Sequence, residues 1–500
     1  MYITKGNSAR RHTVVGVVVL VLASLVMGTV PASATIQYTT DENDLLLLPT
    51  TKDCPTLTEA PRAAEVWFNY DDMNVRGFYD PGNNKPWPFS ERMAQIVCGA
   101  RQNSTIEIGM YFIRAIGTMT QPGLQADAAD PPSSLGTRPE SDPEVIYDAL
   151  EFVTKYRNVK VGLVLDGDSI TPASARSLIN QRLLTIAKIT GVGGYPGITW
   201  CKNGCFNINA ASVFPYAINH EKFLTISDTI WDGAPGPARA AAAAKPAVLS
   251  ASGNLARSQV RNYQQEATLV YGDRALFAQF EARYLGMAEC ATTGCKTNAK
   301  FPALLQKNLP SLDRNIWVDR LNPHGTDAGR GTTVTFSPQP STVTDPFIAA
   351  FNNVDCDVDH HVRLAMFKLT DTKAETMVKA LAALTKRGCD VKVMLTQTGG
   401  AYTISPTVVK ALKAAKIPAM CTAIPMHTKV ILIGPDTNND GRVIAGTQNM
   451  STAGLRYSEE HTLSFDVRRA SPQYQDDLRR VYGDYLAGWL ELSQSAQTCK

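Results

Sequence analysis

Segments with a helical hydrophobic period alternate along this chain with short, almost continuously apolar runs. In the first half, helical segments at residues 89–101 and 142–156 lead into apolar runs at 105–112 and 159–165, and a further helical segment follows at 174–189. Short apolar runs of this length are typical of buried strands. Strands that alternate with helices predict an α/β fold with a mostly parallel sheet.

The second half of the chain repeats this order of elements. Apolar runs at 362–368 and 390–395 alternate with helical segments at 374–387 and 406–415. A stretch rich in Gly, Pro, Ser and Thr, residues 323–346, suits a connection between the halves. Because 500 residues are too many for one compact core, we expect two α/β halves, at 35–310 and 346–500, joined by a segment at 311–345.

Residues 1–34 have the layout of a secretory signal peptide. Basic residues precede an apolar run at 14–30, and the small-x-small sequence Ala32-Ser33-Ala34 follows that run. We expect cleavage at this point and a secreted mature protein. The alternative, an uncleaved membrane anchor, is less favoured because the apolar run is short for a membrane span.

The charge balance of the chain bears on the kind of substrate that it binds. The predicted signal peptide holds three basic residues and no acidic ones, so the mature chain has 46 Lys and Arg (49 less three) against 46 Asp and Glu. Nucleic-acid-binding proteins usually carry a basic excess. The balance therefore disfavours DNA as a substrate without excluding it.

All ten cysteines follow the predicted signal peptide, and an even number in an exported protein indicates disulfide bonds. Cys201 and Cys205, and likewise Cys290 and Cys295, are close enough for local bonds, whereas the pairing of the other six stays open. A zinc site is the alternative, but no histidine follows at a zinc-finger spacing.

A His-x-Lys sequence opens an apolar run in each half, as His220 and Lys222 in the first and as His427 and Lys429 in the second. Both runs, 219–226 and 426–433, are predicted as strands. Side chains at positions i and i+2 of a strand lie on the same face, so each His and its Lys are expected to point the same way.

An Asn and a Glu follow each His-x-Lys in the same order. Asn254 and Asn449 close the next apolar run of each half, and Glu266 and Glu460 open a shared Glu-x-Thr-Leu sequence 12 and 11 residues later. If each pair of runs is a hairpin, the Asn lies beside the His. The Glu is suited to accept the Nδ1 proton of a histidine and set its tautomer, and a structural ion pair is the alternative.

These residue types suit phosphodiester chemistry. Lysines and asparagines are able to hold the non-bridging oxygens and to stabilise the charge that the transition state adds. One histidine is suited to attack phosphorus, and the other to protonate the leaving oxygen and then deprotonate water. We expect neither a metal nor another cofactor.

The two motifs resemble the phospholipase D superfamily, whose signature is His-x-Lys-x4-Asp followed by Gly-Ser-x-Asn, and the resemblance covers residues 90–490. It implies two similar α/β halves, related by a pseudo-two-fold axis, that share one active site. It also implies a first-motif nucleophile, His220, and a second-motif acid/base, His427. The motif Asp is replaced by Ser227 and Gly434, and because this Asp is usually structural, its loss weakens the resemblance only in part.

Other clusters carry weaker signals. Residues 436–441 imitate the start of a calcium loop but lack its final Glu, so an ordinary turn is favoured. His360 and His361 lie near three aspartates, where a surface turn is favoured over a metal site. An aromatic rim of Trp67, Tyr70 and Trp87 would suit lipid, but core packing explains these aromatic residues equally well.

We therefore expect a secreted, monomeric phosphodiesterase of phospholipase D type that hydrolyses or transfers phospholipid headgroups through a phosphohistidine and contacts the membrane surface transiently. A secreted metal-independent nuclease on the same fold, and a catalytically inactive binding protein, are the alternatives.

Overall fold

The structure is a computed structural model, and part of the chain is described here. The described residues are 39–40, 46–47, 54, 60–69, 88–111, 142–167, 197–202, 204–206, 218–233, 243–255, 263–293, 329–339, 344–396, 405–422, 425–435 and 439–499. The predicted signal peptide and the predicted helix at 174–189 lie outside these residues.

In the described part of the first half, seven strands form one sheet. They are β3 (Ala64–Phe68), β4 (Thr105–Met110), β5 (Lys160–Asp166), β6 (Ile198–Cys201), β7 (Lys222–Ile226), β8 (Ala247–Ala251) and β9 (Glu266–Tyr271). Their spatial order is β3-β9-β8-β7-β4-β5-β6. Two short strands, β1 (Thr39–Thr40) and β2 (Leu46–Leu47), form a separate antiparallel pair.

The second sheet has eight strands among the described residues. They are β10 (Thr332–Ser337), β11 (His361–Met366), β12 (Asp390–Thr396), β13 (Ala419–Thr422), β14 (Lys429–Gly434), β15 (Arg442–Gly446), β16 (Glu460–Asp466) and β17 (Ala496–Thr498). Their order is β10-β16-β15-β14-β11-β12-β13-β17. Strand β10 lies within the stretch that the sequence assigned to the connecting segment, and it forms one edge of this sheet.

Helices flank both sheets. They are α1 (Pro88–Cys98), α2 (Asp142–Arg157), α3 (Arg274–Thr293), α4 (Pro346–Asn352), α5 (Cys356–Asp359), α6 (Asp371–Lys386), α7 (Pro406–Ala414), α8 (Thr452–Arg456) and α9 (Pro472–Ser495), with a 3-10 turn at Val467–Arg469. The helices predicted at 89–101, 142–156, 374–387 and 406–415 are confirmed as α1, α2, α6 and α7. No helix in the described ranges is both long and apolar enough to cross a membrane.

The prediction of two α/β halves with mixed sheets is confirmed, but the expectation of mostly parallel strands is wrong. Parallel pairing is confined to β4-β5-β6 and to β11-β12-β13. The motif-bearing strands instead form the antiparallel hairpins β7-β8 and β14-β15, and β9 and β16 continue each hairpin antiparallel. The connection from β14 to β15, at 435–441, is too short for the crossover that parallel strands need, and β7 and β8 pair in the same way across a longer connection at 227–246.

A hydrophobic core shared between the halves joins the two sheets. Phe223 and Phe280 of the first half pack in the same buried cluster as Phe336, Val430 and other residues of the second half. Helix α9 also packs against β3 of the first sheet, where the rings of Phe68 and Tyr485 meet edge to face, 5.6 Å apart. The halves therefore bury apolar surface against each other, which fixes the relation between the two motif-bearing strand ends.

Disulfide bonds tie both halves. The predicted local bond Cys201–Cys205 is confirmed, and the structure adds Cys54–Cys98, Cys356–Cys389 and Cys421–Cys499. Cys295 of the other predicted local pair lies outside the described residues. The bond Cys421–Cys499 fastens the end of the chain to β13, which it extends as β17.

Candidate active site

The first-motif histidine lies just before β7, not within a strand as predicted from the sequence. The backbone N–H of His220 donates to the carbonyl of Glu459 at 2.9 Å, and the N–H of Asn219 donates to Asp166 Oδ2 at 2.7 Å. Asp166 ends β5 and is fully buried. The end of a parallel strand and a segment of the second half thus fix the backbone that carries His220.

The side chain of His220 is paired with a carboxylate from the other half. His220 Nδ1 lies 2.8 Å from Glu460 Oε2, and Glu460 is 2% exposed. A carboxylate that accepts the Nδ1 proton leaves the Nε2 lone pair free, which is the tautomer that a nucleophile or base requires. The sequence predicted a Glu–His contact but not that it would cross between the halves.

The second-motif histidine has a different partner. His427 Nδ1 lies 2.7 Å from the carbonyl oxygen of Ser252 and 3.0 Å from Lys429 Nζ, and the N–H of His427 donates to the Gln264 carbonyl at 2.8 Å. A carbonyl oxygen only accepts hydrogen bonds, so the contact with Ser252 places the proton on Nδ1, and Lys429 Nζ then donates to the His427 carbonyl and not to Nδ1. His427 is therefore held by the backbone of the first half and not by a carboxylate.

Glu266, the counterpart of Glu460, contacts the second motif elsewhere. Glu266 Oε1 accepts from the backbone N–H of Lys429 at 3.4 Å, and the N–H of Glu266 donates to Ser252 Oγ at 3.1 Å. Burial raises the pKa of Glu266, and the ammonium of Lys429 opposes that rise. The two glutamates therefore occupy matching places in sequence but serve different groups.

Each lysine folds back onto the histidine of its own motif. Lys222 Nζ donates to the His220 carbonyl at 2.7 Å, and Lys429 Nζ donates to the His427 carbonyl at 2.5 Å. Both lysines are almost fully buried. In the second motif Lys429 Nζ also lies 3.0 Å from His427 Nδ1, as the predicted same-side placement requires, although the strands begin at the lysines and not at the histidines.

Electrostatics show that the two motifs form one cluster. Burial lowers the pKa of His220 well below its ordinary range, and Lys222, Lys429 and His427 lower it further. Burial likewise lowers the pKa of His427, with Lys429 and Lys222 acting in the same direction. Groups from both halves thus act on each histidine, and in the substrate-free protein both imidazoles are neutral at pH 7.

Burial also lowers the pKa of the two lysines. The pKa of Lys429 falls to about 7, although the carboxylates of Glu266 and Glu460 oppose the fall. The pKa of Lys222 is also lowered, and Glu460 is the strongest opposing group. Burial raises the pKa of Glu460, against the effect of both lysines. A bound phosphodiester anion would favour the charged ammonium forms.

The two asparagines lie at equivalent places, three residues after β8 and β15 end. Asn254 and Asn449 are buried, and among the described residues the Oδ1 atom of each has no hydrogen-bond partner. The hairpin register supports the predicted position, because Phe223 pairs with Ser250 and Val430 pairs with Ala445. Both asparagines therefore follow the strand end that neighbours the histidine of the same half.

Aromatic residues outside the two sequence motifs line both histidines. The ring of Tyr111 lies 5.2 Å from that of His220, and the ring of Phe367 lies 4.5 Å from that of His427. The same two rings lie 5.6 Å from Lys222 Nζ and 5.1 Å from Lys429 Nζ. Tyr111 directly follows β4, and Phe367 directly follows β11, the strand that neighbours the motif strand in each sheet. This equivalent position in the repeated order of elements is the sequence signal that could have identified them.

The positions that replace the motif Asp are remote from the chemistry. Ser227 lies seven residues beyond His220, about 23 Å along an extended strand. Its Oγ accepts from the N–H of Thr105 at 2.8 Å, and the following Asp228 Oδ1 accepts from the N–H of Lys245 at 2.8 Å. Gly434 has a φ of +152°, where a side chain would collide with Gly441. Both positions therefore shape the far ends of the hairpins.

The other candidate clusters gain no support as metal sites. The described residues contain no group of three or more His, Cys, Asp or Glu side chains placed to hold a metal ion. His361 Nδ1 lies 3.2 Å from Asp390 Oδ2 and contacts Arg363. Trp67 packs against Phe89 at 6.2 Å, whereas Tyr70, Trp87 and the start of the 436–441 turn lie outside the described residues.

The chain is similar to several known proteins. A family model described as "Cardiolipin synthase, PLD-like domain" matches residues 357–482, and no curated protein matches the chain. Phosphatidylserine synthase from Haemophilus influenzae superposes with a TM-score of 0.50 at 9% identity, over 88% of this chain and 89% of that one. Such a low identity shows the fold alone.

Two further solved structures are similar. The phospholipase D family member Nuc from Salmonella typhimurium is 18% identical, with 34% of this chain and 99% of that one covered and a TM-score of 0.27. Yeast tyrosyl-DNA phosphodiesterase is 11% identical, with 76% and 89% covered and a TM-score of 0.44.

The family-model match places residues 357–482 in a PLD-like domain, and the two-half fold is shared with the Haemophilus protein. The motifs of both halves lie close together in this fold.

Proposed function

We propose that this protein is a secreted phosphodiesterase that hydrolyses or transfers phospholipid headgroups through a phosphohistidine on His220. The observation that carries the proposal is the contact of His220 Nδ1 with Glu460 Oε2 at 2.8 Å, which combines the two motifs into one site. The phospholipid substrate is supported by the likeness to a phosphatidylserine synthase over most of both chains and by the charge balance of the predicted mature chain. The disulfide bonds of both halves support secretion.

The proposed reaction has two steps. In the first, His220 Nε2 attacks phosphorus, the bond from phosphorus to the headgroup oxygen breaks, and His427 gives that oxygen a proton. In the second, His427 takes a proton from water or from an alcohol, the resulting oxygen attacks phosphorus, and the phosphorus–nitrogen bond breaks. Binding of the anionic substrate raises the pKa of His427 and so allows it to carry the first proton.

The asymmetry of the two histidines supports this division of roles. A carboxylate on Nδ1 stabilises the positive charge that develops on an imidazole as its Nε2 bonds to phosphorus. Glu460 supplies that carboxylate to His220, whereas His427 has the neutral Ser252 carbonyl. The lysines and asparagines of both motifs hold the non-bridging oxygens.

Phosphatidylcholine vesicles with a little ethanol, incubated with the purified protein and a chelator, test the proposal. We expect choline release together with phosphatidylethanol, and loss of both products in His220→Ala. The matched control is His361→Ala, a histidine bound to Asp390 outside the site, which should keep full activity. Cleavage of DNA without lipid turnover would establish the nuclease alternative, and inactivity on both substrates would favour a binding protein.

A good leaving group tests the roles of the two histidines. With bis(p-nitrophenyl) phosphate, departure of p-nitrophenolate needs no acid, so His427→Asn should give a stoichiometric burst and then accumulate phosphohistidine. A burst in His220→Asn and none in His427→Asn would reverse the assignment of nucleophile and acid/base.

A further inference from the structure

A second imidazole–carboxylate pair lies directly behind the first. The segment at 218–221 runs parallel to the segment at 458–461: Asn219 is bridged to Glu459, and the Glu459 N–H donates to the carbonyl of Ile218 at 3.0 Å. The next residues of the two segments, His220 and Glu460, contact each other, and so do the residues after them, Glu221 and His461. The two pairs are reciprocal, since each half contributes one imidazole and one carboxylate.

The second pair has the shorter hydrogen bond of the two and is more deeply buried than the first. His461 Nδ1 lies 2.5 Å from Glu221 Oε2, and both side chains are fully buried. The other imidazole nitrogen, His461 Nε2, lies 2.7 Å from Ser250 Oγ. The rings of Phe280 and Phe223 lie 5.1 and 6.1 Å from the His461 ring. Both imidazole nitrogens are therefore bonded within an apolar cage.

Glu221 is also held from the first half. Arg283 Nε donates to Glu221 Oε1 at 2.9 Å, and Arg283 also donates to the carbonyl of Ser337. Burial raises the pKa of Glu221, but Arg283 and His461 outweigh this effect and lower it. A buried carboxylate with two such partners keeps its charge and its position, and removing one partner is costly.

Successive side chains of an extended segment point to opposite sides. His220 and Glu221 are neighbours, and so are Glu460 and His461. The Glu221–His461 pair, which we call the inner pair, therefore faces away from the side on which His220 contacts Glu460. The inner pair therefore affects catalysis only through the residues beside it.

We propose that the Glu221–His461 pair is a positioning device that holds Glu460 at hydrogen-bond distance from His220. This inference rests on the proposed function, because it assigns the pair a role in preparing the nucleophile. The other motif has no such device: the equivalents of Glu221 and His461 are Thr428 and Ala267.

This difference matches the different partners of the two histidines. Beside the inner pair, the Glu460 carboxylate contacts the His220 imidazole. At the other motif, which has no inner pair, Glu266 instead contacts the backbone of Lys429. A displacement of about 1 Å in a catalytic group is able to reduce a rate about 100-fold. A rigid inner pair is thus a physical means of making one of two similar histidines the nucleophile.

The test compares three variants in the full chain. His461→Leu fills the apolar cage but removes the donor to Glu221, and we expect kcat to fall about 10- to 100-fold with little change in KM. His461→Asn places an amide nitrogen where Nδ1 was and should restore most of kcat. Thr268→Val is the matched control, because it breaks another buried hydrogen bond between the halves, the one between Thr268 Oγ1 and Tyr485 OH at 2.6 Å.

A second readout does not depend on activity. The ¹⁵N signals of the His220 imidazole report whether Nδ1 is protonated and hydrogen-bonded, and this signature should be lost in His461→Leu and kept in Thr268→Val. If the wild-type protein turns over no phosphodiester, the proposed function fails while the signature still tests the positioning.

A folded His461→Leu with wild-type kcat and an unchanged His220 signature would overturn the inference. Equal losses of kcat in His461→Leu and Thr268→Val would also overturn it, since they would show only a general weakening between the halves. If His461→Leu does not fold, Ser250→Ala removes just the hydroxyl at the far side of the imidazole and allows the same comparison at smaller amplitude.

Discussion

The carboxylate that one half supplies to the histidine of the other half gives the sharpest prediction. Glu460→Gln keeps the shape of the side chain and an acceptor oxygen but removes the charge. At 2.8 Å and an effective dielectric constant of about 20, a full charge on the His220 imidazole would interact with the carboxylate by about 6 kcal/mol. If about half of that charge develops in the transition state, the loss is about 3 kcal/mol, or about 100-fold in kcat.

Burst kinetics with bis(p-nitrophenyl) phosphate measure this loss in the step that forms the phosphohistidine. Glu266→Gln is the matched control, because Glu266 holds the equivalent place in the other motif but bonds to the Lys429 backbone. We expect Glu266→Gln to raise KM more than it lowers kcat, since Glu266 raises the pKa of Lys429. A Glu460→Gln enzyme with wild-type burst rate would refute the reasoning, because it would show that no negative charge on Glu460 stabilises the transition state.

Three further predictions concern pH and phosphate binding. Because the pKa of Lys429 is about 7, tungstate binding measured by calorimetry should weaken above that pH, approaching tenfold per unit of pH. Lys429→Arg should flatten this dependence of binding on pH, and a steep dependence in the variant would contradict the prediction. Burial raises the pKa of Glu459 to about 8, from an ordinary value of 4.5. Between these two pH values the folded protein keeps a proton on Glu459 that the unfolded chain has released, so the free energy of unfolding falls as pH rises. Urea unfolding should show a loss of about 2 to 3 kcal/mol between pH 6 and 8, and Glu459→Gln should remove most of it, whereas an unchanged slope would assign the loss to other groups. Asn254→Ala and Asn449→Ala should each lower kcat about 100-fold by removing an amide donor to phosphate, and effects below about threefold in steady-state kinetics would place these residues outside the site.

The sequence by itself determined the features that depend on local order. The helices and parallel strands follow from apolar periodicity within single segments, and the hairpin of the second motif follows from the short connection at 435–441. The spacing of His220, Lys222 and Asn254 predicted their arrangement because a hairpin register relates residues that are close in the chain. The same argument applies to the second motif, so the residue types of the candidate site follow from the amino-acid sequence alone.

Only the tertiary structure decided how the two motifs combine. Glu460 meets His220, and His461 meets Glu221, each across 240 residues of sequence, and no local pattern sets which half supplies the carboxylate. The packing of Phe223 and Phe280 against the second half fixes that choice, because buried apolar surfaces have few arrangements that fill space. The chemistry was encoded as residue types at regular spacings, whereas the asymmetry between the two histidines arises from contacts between distant segments.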